Sequence, residues 1–326
     1  MTLLSARSNG SLCASAALLF VVTIGCARAA DPISPEILYR IDTNDTVSSF
    51  ATNGDYFFCG EGQALVIRKC NDGAIVRSLR GHDDSIAALS FFGDHRVISS
   101  GLDNRIGVFD IKENSSVFLK GHTQPAGALD SSKSMARFVS GDASGKVILW
   151  SSKDFKRLSE YQLGHPIRYL GLVSEKEVLI VYNIYDVDAI TGVIEIIDLK
   201  NGSGKKKKTI QSKIECASMI PGGKEVALGR SNGELLLLDC QSLEERFRLR
   251  ISTNRISAVA PASVLPILFV GSNDGTITTV DIKSKKAISS RKDRDAYITS
   301  LLINNDHLLA SADAKGSIIV YSLKRR

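Results

Sequence analysis

The sequence predicts an all-β protein in which seven four-stranded antiparallel sheets close into a ring. Two observations carry this prediction. One sequence layout recurs at intervals close to 41 residues, and no segment after the first 30 residues keeps a helical period over three turns. A four-stranded sheet of this size cannot bury both faces alone. Radial packing of seven such sheets, a seven-bladed β-propeller, is therefore the expected fold.

The repeated unit consists of a short apolar run, small residues, a turn pair and a second apolar run. Residues 98–110 and 139–150 are the clearest copies. The turn residue before the second run marks each unit, and the marks are 41, 47, 41, 42 and 41 residues apart. They are Asp103, Ser144, Thr191, Asn232, Asp274 and Lys315. A step of 41 residues back from Asp103 reaches Gly62, before another apolar run, which adds a seventh copy.

Ring closure can also be predicted from the two ends of the repeat array. The last unit ends at Tyr321, and the five residues after it are too few for a fourth strand. Residues 37–41 form a lone strand pattern without a unit of their own. We expect this N-terminal strand to pair beside residues 317–321 and to complete the last sheet.

Residues 1–29 have the pattern of a cleaved signal peptide. Arg7 supplies a positive charge, residues 12–27 are uncharged and mostly apolar, and Ala27-Arg28-Ala29 offers small residues at a cleavage site. Residues 30–326 would then be the propeller, exported to a periplasmic or secretory space. An uncleaved anchor, a lipoprotein site at Cys26 and an organelle transit peptide are alternatives, the last giving an organellar or cytoplasmic protein. No later stretch is long enough to span a bilayer.

The charge balance is mildly basic. The chain has 41 Lys and Arg against 35 Asp and Glu, a formal net charge of +6. Spread over the whole chain, this excess predicts no nucleic-acid partner. The lysine run at residues 205–208 is expected at a hairpin tip, as a solvated loop rather than a contact for phosphate or anionic lipid.

The cysteines outside the leader give no evidence for a cofactor. Cys59, Cys70, Cys216 and Cys240 match no zinc or haem spacing, and we expect no cofactor and no metal. They are either small buried strand residues or disulfide partners.

Several units carry the marks of a known family. Gly81-His82, Gly121-His122 and Gly164-His165 each precede a unit, and Phe109 and Trp150 end the second apolar run. This arrangement resembles the "GH…WD" pattern of the WD-repeat propellers. The resemblance covers residues 37–321 and is weaker where Ile197, Leu238, Val280 and Tyr321 replace the tryptophan. It implies the same seven-bladed fold.

Two sets of polar residues could be mistaken for a hydrolase site. His82, Ser99 and Asp103 form one set, and His122, Ser140 and Trp150 belong to the next unit, where Ser144 stands at the expected Asp position. A nucleophilic serine needs one exposed, base-activated copy and not a repeat from unit to unit. The resemblance implies instead that these residues form a buried structural hydrogen-bond network.

The interval of 47 residues indicates an insertion of about six residues around residues 182–188. The resemblance places this connection on the top face of the propeller. Tyr182, Tyr185, Asp186 and Asp188 form a candidate interaction loop, because aromatic residues anchor interfaces. Two carboxylates are too few ligands for a calcium site.

These patterns predict a non-catalytic, monomeric scaffold that holds protein partners of unknown identity. Two alternatives remain. One is an intracellular or organellar assembly factor whose leader is a transit peptide. The other is a cofactor-bearing propeller enzyme, which the lack of a CxxCH motif and the single Trp disfavour.

Overall fold

The backbone of residues 33–43 and 45–325, the part of the chain that the computed structural model describes, forms seven four-stranded antiparallel sheets and no helix. The first strand of each sheet contacts the first strands of both neighbouring sheets, so these strands line the centre of a ring. The predicted seven-bladed β-propeller is confirmed. We label the strands of each blade a to d from the centre outward.

The blades follow one another along the chain. Blade 1 contains β2 (Val47–Thr52), β3 (Tyr56–Glu61), β4 (Ala64–Lys69) and β5 (Ile75–Arg80). Blade 2 contains β6 (Ile86–Phe92), β7 (Arg96–Gly101), β8 (Ile106–Asp110) and β9 (Ser115–Leu119). Blade 3 contains β10 (Ala126–Ser132), β11 (Arg137–Asp142), β12 (Lys146–Ser151) and β13 (Arg157–Gln162). Blade 4 contains β14 (Ile167–Ser174), β15 (Glu177–Tyr185), β16 (Ile190–Asp198) and β17 (Gly204–Ile210).

The second half of the ring repeats the pattern. Blade 5 contains β18 (Ile214–Met219), β19 (Glu225–Arg230), β20 (Glu234–Asp239) and β21 (Glu245–Arg250). Blade 6 contains β22 (Ile256–Pro261), β23 (Ile267–Ser272), β24 (Thr276–Asp281) and β25 (Lys286–Lys292). Blade 7 contains β26 (Ile298–Asn304), β27 (Leu308–Asp313), β28 (Ser317–Arg325) and, as its outer strand, β1 (Ile33–Asp42).

The hydrophobic core is divided into seven clusters, and each cluster lies between two neighbouring blades. Leu235 to Leu238 in strand c of blade 5 are all buried, because alternate side chains point to opposite faces and both faces are covered. Outer strands such as β13 are largely exposed. Each blade is therefore stabilised by its neighbours rather than by a core of its own.

Tight turns join strands b and c in several blades. Gly145 has a φ of +85° at this turn in blade 3, a conformation that side chains with a Cβ rarely adopt. Its amide donates to the Asp142 carbonyl oxygen and closes the turn. The b–c turns lie at the same end of the ring as the loops that join strand d to the next strand a, and we call this end the top face.

Side chains connect the central strands, which share no sheet with one another. The Asp130 carboxylate on β10 accepts the amide of Leu172 on β14 at 2.8 Å, and Ser49 Oγ on β2 accepts the amide of Leu89 on β6 at 3.0 Å. Burial raises the pKa of Asp130 to about 6. These bonds hold neighbouring blades together near the centre of the ring. Backbone hydrogen bonds of the sheets cannot do so there, because the innermost strands of neighbouring blades belong to different sheets.

The ring closes where the N-terminal strand meets the last strand of the repeat array. Ile37 pairs with Tyr321 and Ile41 with Ile318, as the sequence predicts. The pairing is longer than expected, since β28 continues past Tyr321 and Arg325 pairs with Ile33. The residues after Tyr321 do not form a fourth strand, as expected; they lengthen β28, which is strand c of blade 7.

The lysine run is not at a hairpin tip, as the sequence analysis expected. Lys205 to Lys208 lie within β17, the outer strand of blade 4, and the c–d turn of that blade precedes them. The extended backbone sends alternate lysines to opposite sides: Lys207 Nζ lies 5.7 Å from the ring centroid of Tyr182, and Lys206 Nζ donates to the Gln241 carbonyl oxygen of blade 5.

The predicted signal peptide, residues 1–29, lies outside the described residues and stays a prediction. None of the described residues belongs to a helix that is long and apolar enough to cross a membrane.

Deleting residues 33–42 should lower the melting temperature by about 10 °C or more. The deletion removes strand d of blade 7 and uncovers the cluster between blades 7 and 1, against which Tyr39 and Ile41 pack. Differential scanning calorimetry measures the change, and a chain that begins at residue 32 is the control. An unchanged melting temperature would show that the closing strand is dispensable.

Candidate functional site

The polar residues singled out in blade 2 meet in a buried cluster. His82, in the loop before β6, places Nδ1 2.9 Å from both carboxylate oxygens of Asp103 and Nε2 2.7 Å from Ser99 Oγ. The close approach requires small neighbours. A Cβ on Gly107 would lie 2.6 Å from Ser99 Oγ and 3.0 Å from His82 Nε2.

Blade 3 contains the same arrangement with one more donor. His122 Nε2 lies 2.7 Å from Ser140 Oγ, and Trp150 Nε1 donates to that oxygen at 2.8 Å. The carboxylate partner of His122 is Asp142, at 2.9 Å from Nδ1, and not a residue at position 144. The Ser144 hydroxyl instead donates to Asp142 Oδ1 at 2.7 Å. The set that the sequence analysis left incomplete is therefore complete in the structure.

The protonation of these clusters follows from burial. Burial lowers the pKa of His82 and of His122, which outweighs the neighbouring carboxylates. For Asp142, burial alone would raise the pKa, but the hydrogen bonds from Ser144 and His122 hold that pKa below its ordinary value. A neutral imidazole then donates from Nδ1 to an ionised carboxylate and accepts the serine proton at Nε2.

The same geometry cannot serve a hydrolase that takes its substrate from solvent. Ser99 and Ser140 are completely buried, and His82 and His122 are also buried. A nucleophile must reach the substrate carbonyl, which neither hydroxyl can do in this fold. The arrangement is suited to bracing strands b and c against the loop that enters the blade.

A third copy of the cluster uses a residue that the sequence analysis missed. In blade 7, Arg294 donates to Asp313 Oδ2 at 2.9 Å and to Ser311 Oγ at 2.7 Å. Arg294 thus occupies the place that His122 has in blade 3. The available signal was the recurrence of Ser-x-Asp, at Ser140 and Asp142 and again at Ser311 and Asp313.

The insertion in blade 4 lengthens a hairpin rather than a loop. Strands β15 and β16 have nine residues each, and only residues 186–189 lie outside them. The Asp186 amide donates to the Ala189 carbonyl oxygen at 3.0 Å and closes the tip. The extra residues therefore continue the sheet and carry its tip out from the top face.

Three of the four predicted interaction residues lie on the surface. Tyr185 is 56 % exposed, and the acidic residues Asp186 and Asp188 lie at the exposed tip. The prediction was wrong for Tyr182, which is 2 % exposed because its ring stacks on His165 and its hydroxyl donates to Glu195 Oε2 at 2.9 Å. Val187, which no sequence pattern singled out, is fully exposed between the two acidic residues.

The base of this hairpin is pinned to the next blade. Asn183, which is buried, donates from Nδ2 to the Ile214 carbonyl oxygen at 2.9 Å and accepts the Ile214 amide at 2.9 Å. A reciprocal pair of this kind fixes both the position and the direction of the strand. The exposed apolar tip is thus held on a rigid support.

A groove of about 380 Å³ adjoins the hairpin on the top face. Its apolar walls come from the loops that enter blades 3 and 4, through Pro125 and Pro166, and from the b–c turn of blade 3, through Ala143. Tyr185 forms one side, and Arg168 is the charged residue of the lining. We call the hairpin tip and this groove together the blade 4 surface.

The four cysteines outside the leader are free thiols in the structure. They are Cys59, Cys70, Cys216 and Cys240, and three of them are buried. Burial raises the pKa of Cys70 to about 11 and that of Cys216 to about 12, so both stay protonated thiols at neutral pH. No group of three His, Cys, Asp or Glu side chains in the described part of the chain is placed to hold a metal.

Comparison with known proteins gives two similarities. The family described as "WD domain, G-beta repeat" matches residues 73–110 and 113–151, which run from the outer strand of blade 1 to strand c of blade 3. Ribosome biogenesis protein YTM1 of Kluyveromyces lactis is 25 % identical over 134 residues, which cover 37 % of this chain. The chain spans only 30 % of the length of that relative.

Asp142→Ala should destabilise the protein by about 3 kcal/mol, because it leaves the His122 donor and the amides of the b–c turn buried without a partner. Ser144→Ala is the matched control, since Ser144 donates only to Asp142, and it should cost less than about 1 kcal/mol. Urea unfolding measures both changes. Equal effects would contradict the role given to Asp142.

The buried histidines should make the protein less stable in acid. Their folded-state pKa values are lowered, so their contribution is present above their ordinary value of 6.5 and is lost as the pH falls below it. The double variant His82→Gln/His122→Gln should lose less stability than the wild type between pH 7.5 and pH 5.5, by up to about 1.4 kcal/mol per histidine and pH unit.

Urea unfolding of both proteins at the two pH values provides the comparison. Asp130, whose pKa is raised to about 6, contributes in the opposite direction between about pH 6 and its ordinary value of 3.8. It is present in both proteins and cancels in the difference. Parallel pH profiles of wild type and double variant would exclude the histidines as the origin of acid sensitivity.

Proposed function

Because this chain is a WD-repeat β-propeller, we propose that it is a non-catalytic scaffold that binds a protein partner through the blade 4 surface. The observation that carries the proposal is the pairing of an exposed apolar tip with a rigid base. Tyr185 is exposed and lines the groove, Val187 is exposed at the hairpin tip, and Asn183 fastens the hairpin to blade 5. Preorganised aromatic and aliphatic anchors of this kind are typical of interface centres.

The charges around the tip indicate the kind of partner. Asp186 and Asp188 flank Val187, and neither carboxylate forms a hydrogen bond or ion pair among the described residues. A polypeptide that places an apolar side chain in the groove and basic side chains beside it would complement both features. The polar clusters of blades 2, 3 and 7 have a structural role in this proposal, because they are buried below the surface.

The chain is better explained as an assembly factor inside the cell than as an exported protein. The similarity to a ribosome biogenesis protein supports a role in building a larger particle, although it covers only 134 residues. The four free cysteines are also consistent with a reducing compartment. In this proposal the leader is an organelle transit peptide or does not act in export.

Export remains the second candidate, because the predicted signal peptide at residues 1–29 favours it. Sequencing the N-terminus of the protein purified from its native cell separates the two. A chain that begins at Ala30 in an extracellular or periplasmic fraction would support export.

Replacing the two apolar residues of the tip, Tyr185→Ser/Val187→Ser, should abolish partner binding and leave stability within about 0.5 kcal/mol, because both side chains are exposed. The measurement is quantitative affinity capture from the native compartment with tagged wild type and variant. A matched control, Val117→Ser/Val264→Ser, removes two exposed apolar side chains elsewhere. Partners captured equally by all three proteins would place the interface outside the blade 4 surface.

A further inference from the structure

Positive charge is concentrated on the outer strands of three consecutive blades. Strands β17, β21 and β25 of blades 4, 5 and 6 contain ten basic residues and one acidic residue, a net charge of +9. The other four outer strands contain four basic and three acidic residues. We call the basic set the basic rim; it comprises Lys205, Lys206, Lys207, Lys208, Arg246, Arg248, Arg250, Lys286, Arg291 and Lys292.

Part of this charge is neutralised locally. Five rim residues form ion pairs with nearby carboxylates: Lys205, Arg246, Arg248, Arg291 and Lys292. Among the described residues, the other five have no carboxylate within ion-pair distance. Three of them, Lys208, Arg250 and Lys286, form no side-chain hydrogen bond either, and each lies on a different strand. The excess charge therefore extends over all three blades.

The three strands belong to one continuous surface. Lys206 Nζ on blade 4 donates to the Gln241 carbonyl oxygen in the c–d turn of blade 5 at 2.6 Å. Lys285 Nζ in the c–d turn of blade 6 donates to the Arg246 carbonyl oxygen on blade 5 at 3.4 Å. Between blades 4 and 5 lies a cleft of about 650 Å³, which three lysines line together with two carboxylates: Lys205, Lys206, Lys224, Glu177 and Asp239.

Protection of exposed sheet edges does not account for this distribution. Lysine on an outer strand prevents pairing with another sheet, and every blade has such an edge. Yet β9, the outer strand of blade 2, contains no charged residue, and β13 of blade 3 has one of each sign. If edge protection required the charge, these strands would need it as much as β17 does.

We propose that the basic rim binds the phosphate backbone of a single-stranded nucleic acid. This inference does not depend on the proposed function of the blade 4 surface. The expectation of no nucleic-acid partner came from the net charge of the whole chain, whereas binding depends on how charge is distributed over the surface.

The shape of the surface favours a polynucleotide over an acidic peptide. A peptide that adds a strand to the open edge of β17 would reach one blade only and leave the charges of β21 and β25 unused. A flexible polyanion can follow the rim from blade 4 to blade 6. Phe247 is the aromatic residue of these three strands and is buried, so the rim offers no ring for base stacking and binding should be independent of sequence.

The test variant removes one unpaired charge from each strand: Lys208→Gln/Arg250→Gln/Lys286→Gln. Since these side chains form no hydrogen bond or ion pair among the described residues, the fold should be unchanged, which a melting curve verifies. The matched control, Lys69→Gln/Lys112→Gln/Lys120→Gln, removes the same charge from the other side of the ring.

Fluorescence anisotropy with labelled U20 RNA and T20 DNA, at 50 to 200 mM salt, measures binding. Wild type should bind at least one probe, with an affinity that falls with salt. The test variant should bind about tenfold more weakly, with a salt slope smaller by about 2, whereas the control should change less than about twofold.

Three outcomes would overturn the proposal: no binding of either probe at 50 mM salt, equal weakening by test and control variants, or competition by polyglutamate of equal charge as effective as unlabelled RNA. The last result would identify an acidic polypeptide as the partner. The variant Tyr185→Ser/Val187→Ser should bind RNA normally, which keeps a failure of this proposal distinct from a failure of the blade 4 interface.

Discussion

Burial of both faces of every blade is the constraint on which the rest of this structure depends. Strands b and c are largely buried on both sides, and each of the seven hydrophobic clusters is shared by two neighbouring blades. No blade can leave the ring without exposing two clusters. The pairing of β1 with β28 therefore closes the ring. In the other six sheets neighbouring strands are consecutive in the chain, whereas β1 and β28 come from its two ends.

The buried polar clusters of blades 3 and 7 provide hydrogen-bond partners for the backbone amides of the b–c turns. A buried turn between strands b and c must satisfy its amides, and a carboxylate at the end of strand b does so in blades 3 and 7. His122 or Arg294 then satisfies the carboxylate from the entering loop. Different side chains meet the same need, which explains why the sequence repeat fades in several blades while the geometry persists.

The sequence predicts the ring, the number of blades and the closing strand, because period and turn residues report directly on strand order. It does not predict which side chain pairs with the buried histidine of a blade, because the carboxylate can stand two residues earlier in one blade than in the next. Alignment on the turn placed Ser144 opposite Asp103, yet the carboxylate comes from Asp142. Likewise, an insertion in the sequence does not distinguish a longer loop from the longer hairpin found at Tyr185, and a lysine run does not say which strand it occupies.

The closing strand has a consequence for how the protein is made. β1 leaves the ribosome before any blade, and its partner β28 follows about 280 residues later. At a translation rate of about 5–20 residues per second, this first strand waits for roughly 15–60 seconds without its partner. During that time Tyr39 and Ile41, which pack against the cluster between blades 7 and 1 in the folded ring, and the unpaired backbone beside them are open to chaperones or to another nascent copy.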